Sequence, residues 1–455
     1  LIDFKSNSFL FLYFTKKLIV LKRFEWSLRL KGFPVKEAKK TQAIIDGFGT
    51  NDYSNYLSKQ LQSIVAFHLK HTPFYSTLCQ DIDTSNWAEI PVITKANLQQ
   101  PLANRLSDKY TIKTVHKHKT SGSSGTPFEF AKDNFAHAMT WVTFMQRYSW
   151  FNIDLNTSKQ ARFYGIPLDT KSYYKERLKD WLGNRYRFSV FDLSDVALNK
   201  ILQKFKRTKF DYINGYTSAI VQFAKFLERK NIILKEVCPT LKVCIVTSEM
   251  LFDDDKKLLE KQFNITVVNE YGAAELGLIA FQDQQDQWLV NSNHLYVEIL
   301  DDNNQPVPYG TTGKIVITDL YNRAHPFIRY QIGDLGSLSE KSTLQHPILE
   351  SLTGRTSDFI SLPSGKIAAG LTFYYVTKTV IDKEANVKEF IVEQTEIDTF
   401  KIDYVANEAL NSSQQKAVQT AVDKYLEPNL NLVFEHKAIL EREISGKLKQ
   451  FRSEF

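Results

Sequence analysis

Cysteine is scarce in this chain of 455 residues: Cys79, Cys238 and Cys244 stand far apart, with no CxxC pair and no Cys/His ligand spacing. That excludes a disulfide framework and a zinc ribbon, and it fits a reducing compartment such as the cytoplasm. Cys244, inside the apolar run "VCIV", reads as a core residue rather than a nucleophile. Charge of one sign is also scarce. The formal net charge of +7 is a mild bias at this length, and the basic patches "KFKRTK" and "VHKHK" are short enough to be solvated surface. The balance suits an anionic small molecule better than nucleic acid. The apolar run Phe9–Phe14 is too short to cross a bilayer. With "KKLIVLKR" after it, this segment reads as a packing helix, peripheral membrane contact being the second reading because basic and aromatic residues interleave. Two phosphate-binding signatures, GxxxxGK[ST] and GxGxxG, are missing from the candidate loop described below.

What is present is an ordinary globular mix, 43% hydrophobic and 24% charged, in a chain too long for one core. Residues 1–115 carry helical periodicity: in "YLSKQLQSIVAFHLKH", Leu57, Leu61, Ile64 and Leu69 fall near one face, and Thr94 is placed to cap a later helix. From about 160 the pattern alternates. Leu198, Ile201, Leu202 and Phe205, then Ile220, Phe223, Ala224 and Leu227, mark two helices. "LKVCIVTSE" reads as a strand buried on both faces, "DDDKKLLEKQF" as a helix and "ITVVNEYG" as a second strand. That order predicts a parallel sheet of the α/β class. "HLYVEIL" and "GKIVITDL" around a turn-rich stretch predict an antiparallel, barrel-like subdomain. Beyond residue 355, "EFIVEQ", "TFKIDYV", a Ser-capped helix "SSQQKAVQTAVDKYL" and "NLVFEHK" predict a small α+β domain.

The stretch "KTSGSSGTPFEF" could be a linker, or a nest whose backbone N–H groups and hydroxyls hold phosphate oxygens. The proline and the strand-like "FEFA" argue that it is anchored. It is followed in order by "NEYGAAELG", "IRYQIGDLG", "GRTSDFI" and "SGKLKQF". Together these resemble the adenylate-forming superfamily of acyl-CoA synthetases and related ligases, in particular its phenylacetate–CoA ligase-like branch, which includes proteins linked to capsular polysaccharide biosynthesis. "HTPFYSTL" and "EIPVITKANL" are similar to that branch too, so the resemblance spans roughly residues 65–451.

The resemblance implies a large adenylation domain, residues 1–355, and a small mobile C-terminal lid, 356–455. It implies that Thr120, Ser121, Gly122, Ser123, Ser124, Gly125 and Thr126 wrap the ATP phosphates. Thr126 stands where the family usually has lysine, which removes one cation near the β,γ-phosphates. Ser248, Glu249, Asn269, Tyr271 and Gly272 would line the adenine and ribose side, and Glu275 would bind Mg²⁺. Asp334 would accept from the ribose hydroxyls, Arg355 would touch ribose or phosphates, and Asp358 would be the hinge. Lys447 would contact the carboxylate and α-phosphate. Plain alternatives stand beside these: a helix N-cap for Thr247–Ser248, a surface helix for Glu275, a turn for "IGD" and a basic tail for Lys447. "RYQIGDL" departs from the family's usual RTGDL, and "LPSGKIAAGLTFYY" has no arginine matching its hinge-following segment.

The implied activity is ATP-dependent formation of an acyl-adenylate and AMP, followed by transfer to the thiol of CoA. An amine, sugar or carrier acceptor is the close alternative, and a catalytically degenerate scaffold is the alternative of another class. Among the aromatics, Trp141, Phe144, Phe163 and Tyr164 could line an acyl pocket, although core packing is the expected role for most of them, and "FYGIP" is the best local candidate for the acyl side.

Overall fold

The computed structural model of the chain describes residues 23–119, 129–165, 170–190, 192–355, 359–365, 367–369, 387–441 and 451–453. The loop Thr120–Thr126, the hinge candidate Asp358, Lys447 and the run Phe9–Phe14 lie outside the described residues. Among those described, no helix is long and apolar enough to cross a membrane.

The N-terminal third is helical. Thr50–His71 is one helix with Leu57 and Ile64 buried and Leu61 and Leu69 half-buried. Thr94 does not cap a helix. Asn97 Oδ1 accepts from its N–H and its hydroxyl, both at 2.8 Å, and closes a turn. The preceding Ile93 donates its N–H to Arg329 O and accepts from Gln331 N–H. Extended pairing wins here because it satisfies backbone groups that burial would otherwise strand.

A short antiparallel hairpin follows, β1 (His116–Lys119) and β2 (Glu129–Lys132), with Lys119 paired to Glu129. The glycine-rich stretch falls between these two strands in sequence, outside the described residues.

Five parallel strands form half of the main sheet: β3 (Gln160–Phe163), β4 (Arg185–Phe188), β5 (Tyr212–Tyr216), β6 (Val243–Thr247) and β7 (Thr266–Ala273). Side chains alternate across a sheet. On one face Phe163, Phe188, Ile213, Cys244, Val246 and Val267 pack against the helices Asp195–Arg207, Thr217–Arg229 and Asp253–Phe263. The opposite face carries Gln160, Arg162, Arg185, Arg187, Asn214 and Glu270, with hydrogen bonds to the helices Asn134–Ser149 and Thr170–Leu182. β3 and β5 approach so closely that a Cβ on Gly215 would lie 2.4 Å from Phe163 O.

The antiparallel half is β8 (Gly277–Gln282), β9 (Trp288–Val290), β10 (Leu295–Leu300), β11 (Gly313–Asp319), β12 (Tyr330–Leu338) and β13 (Ile348–Arg355). It is no separate barrel. The strands run in the order β10-β11-β12-β13-β9-β8-β7-β6-β5-β3-β4, one open mixed sheet of 11 strands, because β8 folds back onto β7 and carries the ladder across.

A two-stranded ribbon, β14 (Phe359–Ser361) with β15 (Ile367–Ala369), precedes a four-stranded sheet of β16 (Val387–Glu396), β17 (Thr399–Ala406), β18 (Asn431–His436) and β19 (Phe451–Ser453). The helix Ser412–Tyr425 is capped by Asn411 rather than serine: Asn411 Oδ1 accepts from Gln414 N–H, and Gln414 Oε1 accepts from Asn411 N–H. Val418, Val422, Phe400, Ile402 and Phe451 form this unit's core, and Phe252 from the preceding unit enters the same cluster.

Candidate active site

β6 and β7 run in parallel register, with Thr247 opposite Glu270. Ser248 therefore leaves β6 beside Tyr271, beyond the carboxyl end of a parallel strand, where open α/β sheets hold ligands. Ser248 sits at φ +71°, a left-handed backbone that a Cβ makes unfavourable. The segment is tied down next door: Glu249 Oε2 accepts Ser218 N–H at 2.7 Å, and Glu249 O accepts the Thr217 hydroxyl at 3.2 Å. It is not a helix N-cap, since the helix Asp253–Phe263 begins after Phe252 with no side-chain cap.

Two tyrosines bring distant stretches together. Tyr271 OH donates to Asp334 Oδ2 at 2.6 Å, and Tyr330 OH donates to Glu275 Oε1 at 3.0 Å. Tyr330 and Asp334 share β12, so a single strand reaches both carboxylates. Asp334 lies in that strand rather than in a turn, with the backbone of Arg355 opposite it in β13. Glu275 is buried in the β7–β8 connection, not on a surface helix. Gly272 makes that connection tight, since a Cβ there would meet Gly277 O at 2.6 Å. Trp288 lies parallel to the Tyr271 ring, with centroids 6.3 Å and planes 8° apart. Asn269 and Trp288 also line a cavity of about 370 Å³ with Met250, Leu251, Gln282 and Leu352.

Three buried charges set this geometry. Arg329, at the entry to β12, donates from Nη1 to Ala88 O (2.8 Å) and Ile90 O (2.7 Å), with its Nε 3.5 Å from Glu298. It thereby fixes the strand that carries Tyr330 and Asp334. Lys132 is buried at the end of β2. Its Nζ donates to Thr140 Oγ1 and to Leu276 O, each at 3.0 Å, and lies 3.6 Å from Asp319. Burial lowers the Lys132 pKa, and the charges of Asp319 and Glu275 oppose that shift. Glu270 accepts from Tyr148 OH at 2.7 Å; burial raises its pKa, against hydrogen bonds from Tyr148 and Thr247.

Of the residues singled out in the sequence, Ser248 and Glu249 follow β6, Asn269, Tyr271 and Gly272 lie on the neighbouring β7, and the Tyr271–Asp334 and Tyr330–Glu275 bonds join β12 to β7 and to the β7–β8 connection. Arg355 joins them through its backbone. Lys132 and Arg329 were not anticipated. Arg329 stands inside the quoted "IRYQIGDLG", and an arginine abutting an apolar strand is the signal that could have found it. Nothing in the local pattern marks Lys132, two of whose partners, Leu276 and Asp319, are far away in sequence.

No protein-family model matches the chain. It is 20% identical over 400 residues to Protein CapK of Staphylococcus aureus, covering 85% of this chain and 86% of CapK. It is 24% identical over 282 residues to phenylacetate-coenzyme A ligase of Aromatoleum evansii, covering 60% and 62% of the two chains. Its fold superposes on 2-hydroxyisobutyryl-CoA ligase, solved in the postadenylation state with R3-HIB-AMP, with a TM-score of 0.69 and 16% identity, covering 90% of each chain. The same ligase in the thioesterification state, with 2-HIB-AMP and CoA, gives 0.57 at 16% identity over 89% and 90%.

Proposed function

The chain is a distant member of the adenylate-forming superfamily, and from that premise we propose that it is an AMP-forming carboxylate ligase. The carrying observation is the pair of tyrosine–carboxylate bonds that gathers Tyr271, Glu275 and Asp334 beside the end of β6. In this reading Asp334 accepts from the two ribose hydroxyls, since a carboxylate takes two donors at once. The cavity beside Asn269 and Trp288 takes the base. Residues 120–126 cradle the phosphates with backbone N–H groups.

Glu275 suits Mg²⁺: it is a buried carboxylate, and Mg²⁺ is held by one or two carboxylates plus phosphate oxygens and water. Bound there, the ion would neutralise phosphate charge.

A carboxylate oxygen of the substrate attacks the α-phosphorus of ATP, the bond to the bridging oxygen breaks, and pyrophosphate leaves. Two anions must meet, so Lys447 and the loop amides serve to offset charge before the atoms align. Asp358 acts as the hinge between residues 1–355 and the lid 356–455, whose movement admits the acceptor and excludes water. The acceptor in this reading is CoA. A different nucleophile, an amine, sugar or carrier, is the second reading, favoured by the altered stretch 362–375.

Carboxylate-dependent exchange of pyrophosphate into ATP tests the first step, and the product mass with and without CoA tests the second. Lys447→Ala is expected to slow exchange roughly 100-fold or more, as loss of one preorganised charge donor does, while ATP still binds. An unchanged exchange rate contradicts the role given to Lys447.

A further inference from the structure

The parallel strands contain a switch point of their own. β4 lies on one side of β3 and β5 on the other, so the connections diverge at the carboxyl ends of β3 and β5, the kind of place where open α/β sheets hold ligands. Tyr164, which follows β3, and Tyr216, which ends β5, meet at that point with ring centroids 4.5 Å apart. Arg162 lies beside them, its guanidinium carbon 4.0 Å from the centre of the Tyr164 ring.

Three arginines project from this face of the sheet, and two of them are paired. Arg185 Nε donates to Asp180 Oδ1 at 2.7 Å. Arg187 Nη2 donates to Glu176 at 2.9 Å and to Asp180 at 3.0 Å, and its Nη1 donates to Gly165 O at 3.0 Å. Arg162 has neither an ion-pair partner nor a hydrogen-bond acceptor among the described residues, and its Nε is buried without a partner. The carboxyl whose charge it feels, Glu270, is already engaged by Tyr148 and Thr247. A half-buried guanidinium that serves only structure is held as its two neighbours are, because desolvating an unpaired donor is costly.

We propose that Arg162 receives a second anionic group on the acid that this enzyme activates, so that its substrates are dicarboxylic acids rather than apolar monocarboxylic acids. The guanidinium fork matches a carboxylate in bidentate fashion, and the Tyr164–Tyr216 pair offers an apolar wall for the carbon chain between the two acid groups. The carboxyl group held by Arg162 stays unreacted, and the other is the one that meets the α-phosphorus. The inference rests on the adenylation reading above.

The test is pyrophosphate exchange with wild type, Arg162→Leu and Arg162→Lys over straight-chain dicarboxylic acids and the monocarboxylic acids of equal length. Wild type is expected to prefer a dicarboxylic acid. Arg162→Leu should raise its KM for that acid roughly 30- to 100-fold, the scale of a lost charged hydrogen-bond pair, with kcat little changed. Arg162→Lys should recover part of the loss. Because Arg162 has no hydrogen-bonded or ion-paired partner among the described residues and only the Tyr164 ring against it, Arg162→Leu should change the melting temperature little. A wild-type preference for monocarboxylic acids, or an equal loss of activity toward both series, overturns the proposal and leaves adenylation standing. Exchange with no acid at all contradicts adenylation instead. Calorimetric titration of the same dicarboxylic acids then decides the Arg162 site: heat in wild type that is absent in Arg162→Leu supports it, and no heat overturns it.

Discussion

Asp334 offers two acceptor oxygens at a point where Tyr271 already donates to one. Replacing it with asparagine keeps an acceptor for Tyr271 but turns the second oxygen into a donor that faces the ribose diol unfavourably. Asp334→Asn is therefore expected to raise the KM for ATP roughly 10- to 100-fold in pyrophosphate exchange, with the protein still folded. An unaltered KM removes the ribose role. His68 makes a different kind of statement. Its Nε2 lies 2.9 Å from the Asn322 carbonyl, which can only accept, so that nitrogen carries the proton, and Nδ1 accepts from the Thr72 hydroxyl at 2.8 Å. Burial pushes its pKa down to about 4 from 6.5. Below pH 6.5 the unfolded chain takes up a proton that the folded chain refuses, so the stability this site contributes is whole above pH 6.5 and drains as the pH falls towards 4. His68→Gln should flatten the pH dependence of the urea midpoint in that window, by up to about 1.4 kcal/mol per pH unit. A parallel pair of curves contradicts it.

At the scale of elements, Lys132 is the knot: it ties β2, the helix Asn134–Ser149, the β7–β8 connection and the end of β11 through Thr140, Leu276 and Asp319. Lys132→Met leaves Asp319 as a buried carboxylate without its cation, and the expected cost is about 3 kcal/mol in the urea-unfolding free energy. Asp319→Asn in the same chain should return part of it, because asparagine still accepts from Tyr321 and Asn322 N–H groups. Lack of any recovery contradicts the pair. Of the parallel strands, β6 and β7 were legible beforehand because their apolar runs are nearly continuous and the neighbouring helices carry clear stripes: "VCIVT" is buried at all five positions; β3, β4 and β5, in "QARF", "RYRF" and "YINGY", have no such run. The joining of the antiparallel strands to the same sheet was not legible, because it depends on which edge β8 chooses and no local pattern encodes that. The cap at Asn411 was missed by one residue, since serine and asparagine cap alike and only the reciprocal bond with Gln414 decides between them. The candidate site was legible in its carboxylates and glycines. Its supports, Trp288, Arg329 and Lys132, were not, since each acts through residues far away in sequence.

For the molecule as a whole, the two superpositions on one ligase differ although the sequence compared is the same, 0.69 in one state and 0.57 in the other. Both superpositions show the same overall fold. One contact joins the two units: Phe252, four residues after Ser248, is buried in the core of the C-terminal unit, with Met250 packed against it. The stretch that follows Ser248 thus also packs against the C-terminal unit.

The most direct measurement is a crystal structure of the chain with ATP and Mg²⁺. The account predicts the ribose hydroxyls on Asp334, the base against Tyr271 and Asn269, and the phosphates between residues 120–126 and Glu275. A nucleotide bound elsewhere, or a chain that takes up none at saturating concentration, contradicts it.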